Sequence, residues 1–272
     1  MKDLNPADEA LRLTSLLREQ LNEMMAAGQA LTGSLADNGR ALEYMAVLQR
    51  GMFRQLRLIR QLELDQKLNG LDEVRLFRTL VDLVKMCRDL ITRADPLLSP
   101  LGIRVQFSTT LTALPTLADQ AALEEMLLAL ISNSVKAIGR DGSILLELEQ
   151  RDRKAVFTLT DNGGGMDCAV LSALFDPPEE DDEEPDSPLA RHSRGLSLVQ
   201  QIAALHGGIL IVDSKQSKGV RLAISMPLVS RIGGLLSTPP SARDDTGGWD
   251  RVLVALSDCL PLQAFLPEVS PQ

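Results

Sequence analysis

Aromatic residues are scarce in this chain, which has one tryptophan, one tyrosine and six phenylalanines among 272 residues. A hydrophobic core must therefore be built mainly from Leu, Ile, Val, Ala and Met. Hydrophobic residues make up 44% of the chain and charged residues 24%, shares that are ordinary for a globular protein of one or two domains. The length is sufficient to bury a sizeable core.

Cysteine is also rare. Cys87, Cys168 and Cys259 are widely spaced along the chain. Their number is odd and their spacing matches no zinc pattern, which excludes a disulfide framework and the common structural metal sites. We therefore expect reduced, buried thiols and a cytoplasmic protein.

Basic residues are fewer than acidic ones, with 28 Lys and Arg against 37 Asp and Glu. The net charge is therefore −9, and the pI is about 4.9. This balance disfavours nucleic acid and anionic membranes as partners. No apolar run reaches the roughly 18 residues of a membrane span. Residues 1–6 also lack the apolar core of a signal peptide. We expect neither a nucleic-acid partner nor a membrane span.

Proline is absent from residues 7–67, and apolar residues recur there at helical spacing on both sides of "LADNGRAL". The pattern predicts an antiparallel hairpin of two long helices over residues 7–68. A lone hairpin leaves an apolar stripe uncovered. The hairpin is therefore expected to dimerise into a four-helix bundle, and the alternative is that it packs on its own downstream domain.

From residue 71 to residue 228 the pattern changes to helices alternating with strands. The segments "SILLELEQ" and "KAVFTLT" alternate with period two and predict antiparallel neighbours. A helix preceding them is expected to end before Pro96. The chain is therefore predicted to be α+β, with the helical hairpin followed by an α/β sandwich that has helices on one face of a mixed sheet.

The last part of the chain divides into two segments. Residues 229–248 are rich in Gly, Ser, Pro and Asp and are predicted to be a linker. Residues 249–272 are apolar again. We expect this C-terminal extension to pack on the rest of the chain or on a partner.

Three glycines follow Asp161 in the stretch "TDNGGGMD", at the end of an alternating segment. The spacing fits neither a dinucleotide fingerprint nor a Walker loop. A carboxylate at a strand end can accept a hydrogen bond from an exocyclic amino group such as that of adenine. Gly163 and Gly165 would let the backbone approach a flat base. Taken alone, the stretch fits a plain turn equally well.

Two polar residues, Asn133 and Lys136, interrupt an apolar helix and lie on one side of it. An Asn oxygen suits Mg²⁺ that bridges phosphates, and a lysine can neutralise phosphate charge. A polar pair facing water is the alternative. Further along, a helix is expected to begin at Gly195, where free N–H groups would face an anion.

Five segments then complete a resemblance. Asn133, "DNGGGMD", "LFDPP", "RGLSLVQQIAALHGG" and "KGVRLAISMP" resemble, in order, the N, G1, F, G2 and G3 boxes of histidine kinases, in the ATPase superfamily of gyrase B, Hsp90 and MutL. The resemblance covers residues 71–228, and the hairpin resembles the dimerisation and phosphoacceptor domain of the same kinases. It implies a two-component signalling protein with ATP and Mg²⁺ as cofactors and a response regulator or another protein as partner.

The resemblance also implies roles for individual residues. Asp161 would hold the adenine amino group, and Gly163 and Gly165 would shape the base pocket. Asn133 would hold Mg²⁺ and Lys136 would reach the phosphates. The implied cofactor-binding set is completed by Arg194, Gly195 and Leu196. Residues 176–194 would form a lid over ATP.

The hairpin departs from the family pattern, because the two histidines of the chain, His192 and His206, both lie outside it. Ser15, in "SLLREQLN", takes the position of the phosphorylated histidine. A serine hydroxyl is a poor nucleophile without a neighbouring base, and Leu16 supplies none. Ser15 is therefore a candidate acceptor, with a solvent-facing serine as the alternative.

The nucleotide boxes depart as well. Residues 191–195 read Arg-His-Ser-Arg-Gly where the family has more glycines, and "EEDDEEPD" at 179–186 places seven carboxylates in the lid. Repulsion between these and a triphosphate predicts weakened ATP binding or slow turnover. Three functions stay open: an active kinase that phosphorylates Ser15 or another protein, a pseudokinase that binds nucleotide and docks a response regulator or partner kinase, and a clamp ATPase like MutL.

Overall fold

The protein was analysed as a computed structural model, which describes residues 6–35, 38–69, 76–165, 188–214, 219–229 and 249–266, some of them, such as 188–194, by their backbone alone. The chain divides into two compact units. Unit 1 comprises Met1–Arg75 and Ala242–Gln272, and unit 2 comprises Leu76–Ser241. The domain boundaries drawn from the sequence stay predictions.

Unit 1 begins with helices α1 (Pro6–Ser34) and α2 (Gly39–Asn69), which pack on each other as a hairpin. Gly28 lies at this contact, where a Cβ would be in ordinary van der Waals contact with the methyl group of Met45, at 3.4 Å, and with that of Met52, at 3.5 Å. Buried side chains fill the contact between the helices, among them Leu21, Met25, Leu56 and Ile59.

Unit 2 contains a main sheet, a small sheet and helices. Its elements are β1 (Thr79–Asp82), α3 (Leu83–Leu98), β2 (Ile103–Ser108), β3 (Pro115–Ala118), α4 (Gln120–Ile138), β4 (Gly142–Arg151), β5 (Lys154–Asp161), α5 (Pro188–Leu205), β6 (Ile209–Ser214) and β7 (Val220–Pro227). The main sheet has the order β2-β4-β5-β7-β6, and β1 pairs with β3 in the small sheet. Strands β2 and β4 are parallel, and the other pairs of the main sheet are antiparallel.

One face of the main sheet carries the core of unit 2. Alternate residues of β4 (Ile144, Leu146 and Leu148) are buried, as the period of two requires. Helices α3, α4 and α5 pack on the sheet. The predicted α/β sandwich and the antiparallel pairing of β4 with β5 are confirmed.

The prediction that a helix ends before Pro96 is wrong, because α3 continues to Leu98 and a short 3-10 helix follows at Ser99–Leu101. Proline removes one backbone donor from a helix. Here that loss falls in the last turn. The carbonyl of Asp95 still accepts the backbone N–H of Ser99, so the end of the helix keeps its cap.

The C-terminal segment of unit 1 contains α6 (Arg251–Leu256) and a 3-10 helix at Leu262–Phe265. Both pack on α2. The carboxylate of Asp250 starts α6 by accepting the backbone N–H groups of Val252 at 2.7 Å and Leu253 at 3.1 Å.

Candidate functional site

The carboxylate of Asp161, the last residue of β5, is buried and fixed by three hydrogen bonds. Oδ2 accepts the Ser134 hydroxyl at 2.7 Å. Oδ1 accepts the backbone N–H of Gly163 at 3.0 Å and that of Val220 at 3.2 Å. The side chain is therefore held from three directions, by α4, by the glycine loop and by β7.

Among the residues that the structure describes, these bonds leave the carboxylate one acceptor position. Two oxygens offer about four lone-pair positions in total. The three donors occupy two on Oδ1 and one on Oδ2. The remaining position on Oδ2 of Asp161 suits an N–H donor of a ligand, because a buried carboxylate is costly to leave incompletely bonded.

Glycines allow two loops to reach Asp161. A Cβ at Gly219 would lie 1.9 Å from the backbone oxygen of Asp161, and the residue has a φ of +78°. At Gly163 a Cβ would lie 3.1 Å from the backbone of Ala137. Gly165 also has a positive φ, of +72°. The glycine loop is therefore both a turn and a close backbone contact with the end of α4.

Asn133 on α4 has a buried side-chain nitrogen for which the described residues provide no hydrogen-bond partner. The amide lies against Gly195 of α5, where a Cβ would be 3.0 Å from this nitrogen. An unsatisfied buried amide costs free energy, so this position is suited to a polar ligand.

The structure brings Asn133 together with Gly195, and Ser134 together with Asp161, because consecutive residues of α4 point in different directions. Lys136 lies exposed in the last turn of the same helix. The two residues thus differ in burial, because Lys136 is exposed whereas Asn133 is half-buried.

The expectation that a helix begins at Gly195 is wrong. Helix α5 starts seven residues earlier, at Pro188, and proline is favoured in the first turn of a helix. Gly195 is thus an interior residue, and its backbone N–H is not among the free groups of a helix start. Its role is steric, because it leaves room for the Asn133 amide. Leu196, the next residue, is 3% exposed.

Several residues of the sequence-based site lie outside the described part of the structure. They include "LFDPP", the acidic stretch 179–186 and the rest of the segment 166–187. The side chain of Arg194 also lies outside it. Ser15 is exposed on α1, in unit 1 rather than unit 2.

His206 connects the end of α5 with the start of α4. Its Nδ1 donates to the Ile202 carbonyl at 2.8 Å and its Nε2 accepts the Asp119 backbone N–H at 3.2 Å. Burial lowers the pKa of His206, with a smaller contribution in the same direction from Arg78, against the opposing hydrogen bond to Ile202 and charge of Asp119. The imidazole is therefore neutral and structural at neutral pH.

Two of the cysteines can be described. Cys87 is buried and unpaired in α3, and burial raises the pKa of its thiol to about 12, with Asp82 adding to the shift. Cys259 is half-buried, and its thiol donates to the Leu256 carbonyl at 3.1 Å. Within the described ranges, no group of three or more His, Cys, Asp or Glu side chains is arranged to bind a metal ion.

The sequence reasoning missed Ser134 and Asn162. Asn162 Oδ1 accepts the Ser143 backbone N–H at 2.8 Å and ties the start of the glycine loop to β4. Ser134 directly follows Asn133 and is buried in an apolar helix. The available signal in the sequence was a serine next to Asn133 in an otherwise apolar helix.

The site thus combines a buried strand-end carboxylate and the glycine loops around it with a five-stranded mixed sheet covered by helices on one face. Residues 118–230 match the family described as histidine kinase-, DNA gyrase B-, and HSP90-like ATPase.

Curated relatives are sensor kinases. The chain is 32% identical to sensor histidine kinase ZraS of Salmonella typhi over 130 residues. This alignment covers 47% of this chain and 27% of ZraS. It is 24% identical over 205 residues to the circadian input-output histidine kinase CikA of Thermosynechococcus vestitus, covering 75% of this chain and 28% of CikA. The chain thus spans less than a third of the length of these relatives.

Solved structures share the fold. Full-length ShkA in complex with AMPPNP superimposes with a TM-score of 0.64 at 20% identity, over 84% of this chain and 47% of ShkA. Histidine kinase ThkA in complex with response regulator protein TrrA gives a TM-score of 0.53 at 17% identity, over 82% of this chain and 64% of that chain. Among the described residues, no helix is long and apolar enough to cross a membrane.

Proposed function

We propose that this chain is an ATP-binding, histidine-kinase-like signalling protein of a bacterial two-component system. The observation that carries the proposal is the buried carboxylate of Asp161, which three protein donors fix and which keeps one acceptor position on Oδ2. The exocyclic amino group of adenine is a donor that fits this position. Gly163 and Gly165 then bring the backbone close to the plane of the base.

The phosphates belong, in this proposal, near the Asn133 amide. Its unpaired buried nitrogen fits a phosphate oxygen or a metal-bound water, and its oxygen would hold Mg²⁺. Bound Mg²⁺ would offset phosphate charge. Lys136, Arg194 and Leu196 complete the proposed nucleotide-binding set, in which Lys136 and Arg194 would add positive charge and Gly195 lies beside the Asn133 amide.

We propose that the hairpin forms a homodimer. Each helix of the hairpin carries apolar side chains that are at least half exposed, at intervals of four and seven residues on α1 and of four and ten residues on α2. They are Leu13, Leu17, Met24 and Leu31 on α1, and Tyr44, Leu48, Leu58 and Leu62 on α2. Such heptad stripes are suited to pack against a second hairpin in a four-helix bundle.

A response regulator is the proposed protein partner of the hairpin. The support comes from the family of unit 2 and from the fold shared with ThkA, which was solved with its response regulator. Phosphotransfer would run from ATP to a protein side chain. Within this chain, Ser15 is the candidate acceptor, and its exposure on α1 leaves it accessible.

A second candidate function is a pseudokinase that binds nucleotide and docks its partner without phosphorylating itself. The observation that favours it is the absence of histidine from the sequence of both hairpin helices. In that case nucleotide would act only as a ligand that biases the conformation of unit 2.

Competition between ATP and GTP tests the proposed base contact. Guanine has a carbonyl oxygen where adenine has its amino group, so it presents an acceptor to the Asp161 carboxylate. We expect ATP to displace a fluorescent ATP analogue at concentrations at least tenfold lower than GTP. Equal displacement by both nucleotides would contradict the role of Asp161.

Incubation with γ-labelled ATP separates the two candidate functions. Acid-stable label on the wild-type chain that is lost in Ser15→Ala would establish serine phosphorylation. If ATP binds and the chain stays unlabelled, also with added receiver-domain protein, the pseudokinase function is supported. Ser197, an exposed serine on α5, provides the matched Ser→Ala control.

A further inference from the structure

The C-terminal strap, defined as residues 249–266, covers one side of α2. Five of its large apolar residues are almost completely buried, although the segment is only 18 residues long. They are Val252, Val254, Leu256, Leu260 and Phe265. A segment this short buries so many side chains only because α2 supplies a matching surface.

Two kinds of contact anchor the strap. The Phe53 ring lies edge-on to Trp249, with centroids 5.2 Å apart, and its centroid is 5.6 Å from that of Phe265. Asp258 forms an ion pair with Arg57. The backbone oxygen of Asp258 also accepts a hydrogen bond from Arg54 at 3.2 Å. Aromatic anchors beside arginines are the typical strong contacts of protein–protein interfaces.

The covered side of α2 is basic in an acidic protein. The sequence of α2 has six Lys and Arg residues against three acidic ones, whereas the whole chain has a net charge of −9. Arg50, Arg54 and Arg57 share one side of the helix with Phe53, at spacings of three, four and seven residues. This side therefore attracts carboxylates.

The strap does not cover the exposed heptad stripe of α2. Tyr44, Leu48, Leu58 and Leu62 remain at least half exposed. Phe53 lies about half a turn around the helix from Tyr44, since each residue advances by about 100°. The stripe and the strap therefore use different sides of α2, and a second hairpin can pack on the stripe while the strap is in place.

We propose that the C-terminal strap is a releasable cover of the basic side of α2, which competes with an acidic protein partner for that surface. Asp258 occupies the place of a partner carboxylate between Arg54 and Arg57, and Trp249 and Phe265 occupy the place of its apolar side chains around Phe53. The inference rests on the proposed role of the hairpin as a docking site for a protein partner.

Trp249 makes the cover measurable in the full chain, because it is the only tryptophan. Acrylamide quenching of its fluorescence reports how often the strap leaves α2. A labelled synthetic peptide of residues 249–266, which carries the carboxylate of Asp258, serves as the competing ligand for this side of α2. The variant is Asp258→Asn, and Asp89→Asn, at an exposed i,i+4 pair with Lys85 in unit 2, is the matched control.

We expect Asp258→Asn to raise the quenching constant at least twofold and to bind the peptide several-fold more tightly than the wild type, while Asp89→Asn behaves as the wild type. If Asp258→Asn disturbs the fold, Arg57→Gln removes the same ion pair from the side of α2 and should raise the quenching constant in the same way, without tighter peptide binding because the peptide's Asp258 then lacks its partner. Unchanged quenching in both variants, or no gain in peptide binding by Asp258→Asn, would overturn the proposal. No nucleotide is present, so a failure of ATP binding cannot produce that result.

Discussion

Replacing Ser134 with alanine removes one of the three donors that fix the Asp161 carboxylate. The bond is short, at 2.7 Å, both side chains are buried, and the acceptor is a carboxylate. Hydrogen bonds to charged groups contribute about 1.5–3 kcal/mol, and alanine leaves the buried oxygen without a partner. The higher helix propensity of alanine offsets at most about 0.5 kcal/mol of this loss.

Unit 2 should therefore lose about 1–3 kcal/mol of unfolding free energy. For a unit of this size, each kcal/mol lowers the melting temperature by about 2–4 °C. The ATP affinity should fall as well, because Oδ2 of Asp161 is no longer held in one orientation.

Urea unfolding followed by two signals tests this magnitude. Trp249 belongs to unit 1, whereas the far-ultraviolet circular dichroism reports both units. Ser134→Ala should shift the circular dichroism transition of unit 2 and leave the tryptophan transition in place. Ser197→Ala, the same change at an exposed position of α5, should shift neither signal. If Ser134→Ala unfolds like the wild type, the carboxylate does not depend on this bond and the reasoning is refuted.

Two further perturbations act on the same unit. Gly219→Ala should disrupt the loop and abolish ATP binding in a calorimetric titration, because its Cβ would lie 1.9 Å from the Asp161 backbone oxygen. Gly164→Ala is the control and should bind ATP normally, because a Cβ at Gly164 meets nothing within 4 Å. Because the pKa of His206 is lowered on folding, the unfolded state takes up a proton first as the pH falls below about 6.5. The contribution of His206 to the unfolding free energy of unit 2 should therefore be constant above that pH and decline below it. In urea unfolding, a His206→Gln variant whose stability falls as steeply with decreasing pH as that of the wild type would contradict this.

The helices and strands were largely predictable because local periodicity determines them. The alternation in β4 and β5 and the apolar helix α4 appear directly in the sequence. The predicted start of α5 at Gly195 was wrong, because it rested on the free N–H groups that a helix start offers to an anion. Glycine occupies position 195 for a reason of tertiary packing, because the Asn133 amide lies beside it.

Contacts between distant residues were not predictable from spacing. Ser134 and Asp161 are 27 residues apart, and only the packing of α4 against the end of β5 brings them together. The docking of the C-terminal strap on Phe53 likewise depends on a contact across about 200 residues of sequence. Short motifs identified the glycine loop and Asn133, whereas the residues that hold them in place required the fold.

Calorimetric titration of Mg-ATP into the full chain, with Asp161→Asn as the variant, tests the central claim most directly. The substitution keeps the shape of the side chain but replaces its charge, and Asp89→Asn is the control. We predict saturable binding by the wild type and the control, and at least tenfold weaker binding by Asp161→Asn, a difference of about 1.4 kcal/mol or more. Equal affinity in the variant and the wild type, or no heat of binding in the wild type, would contradict the account of this site.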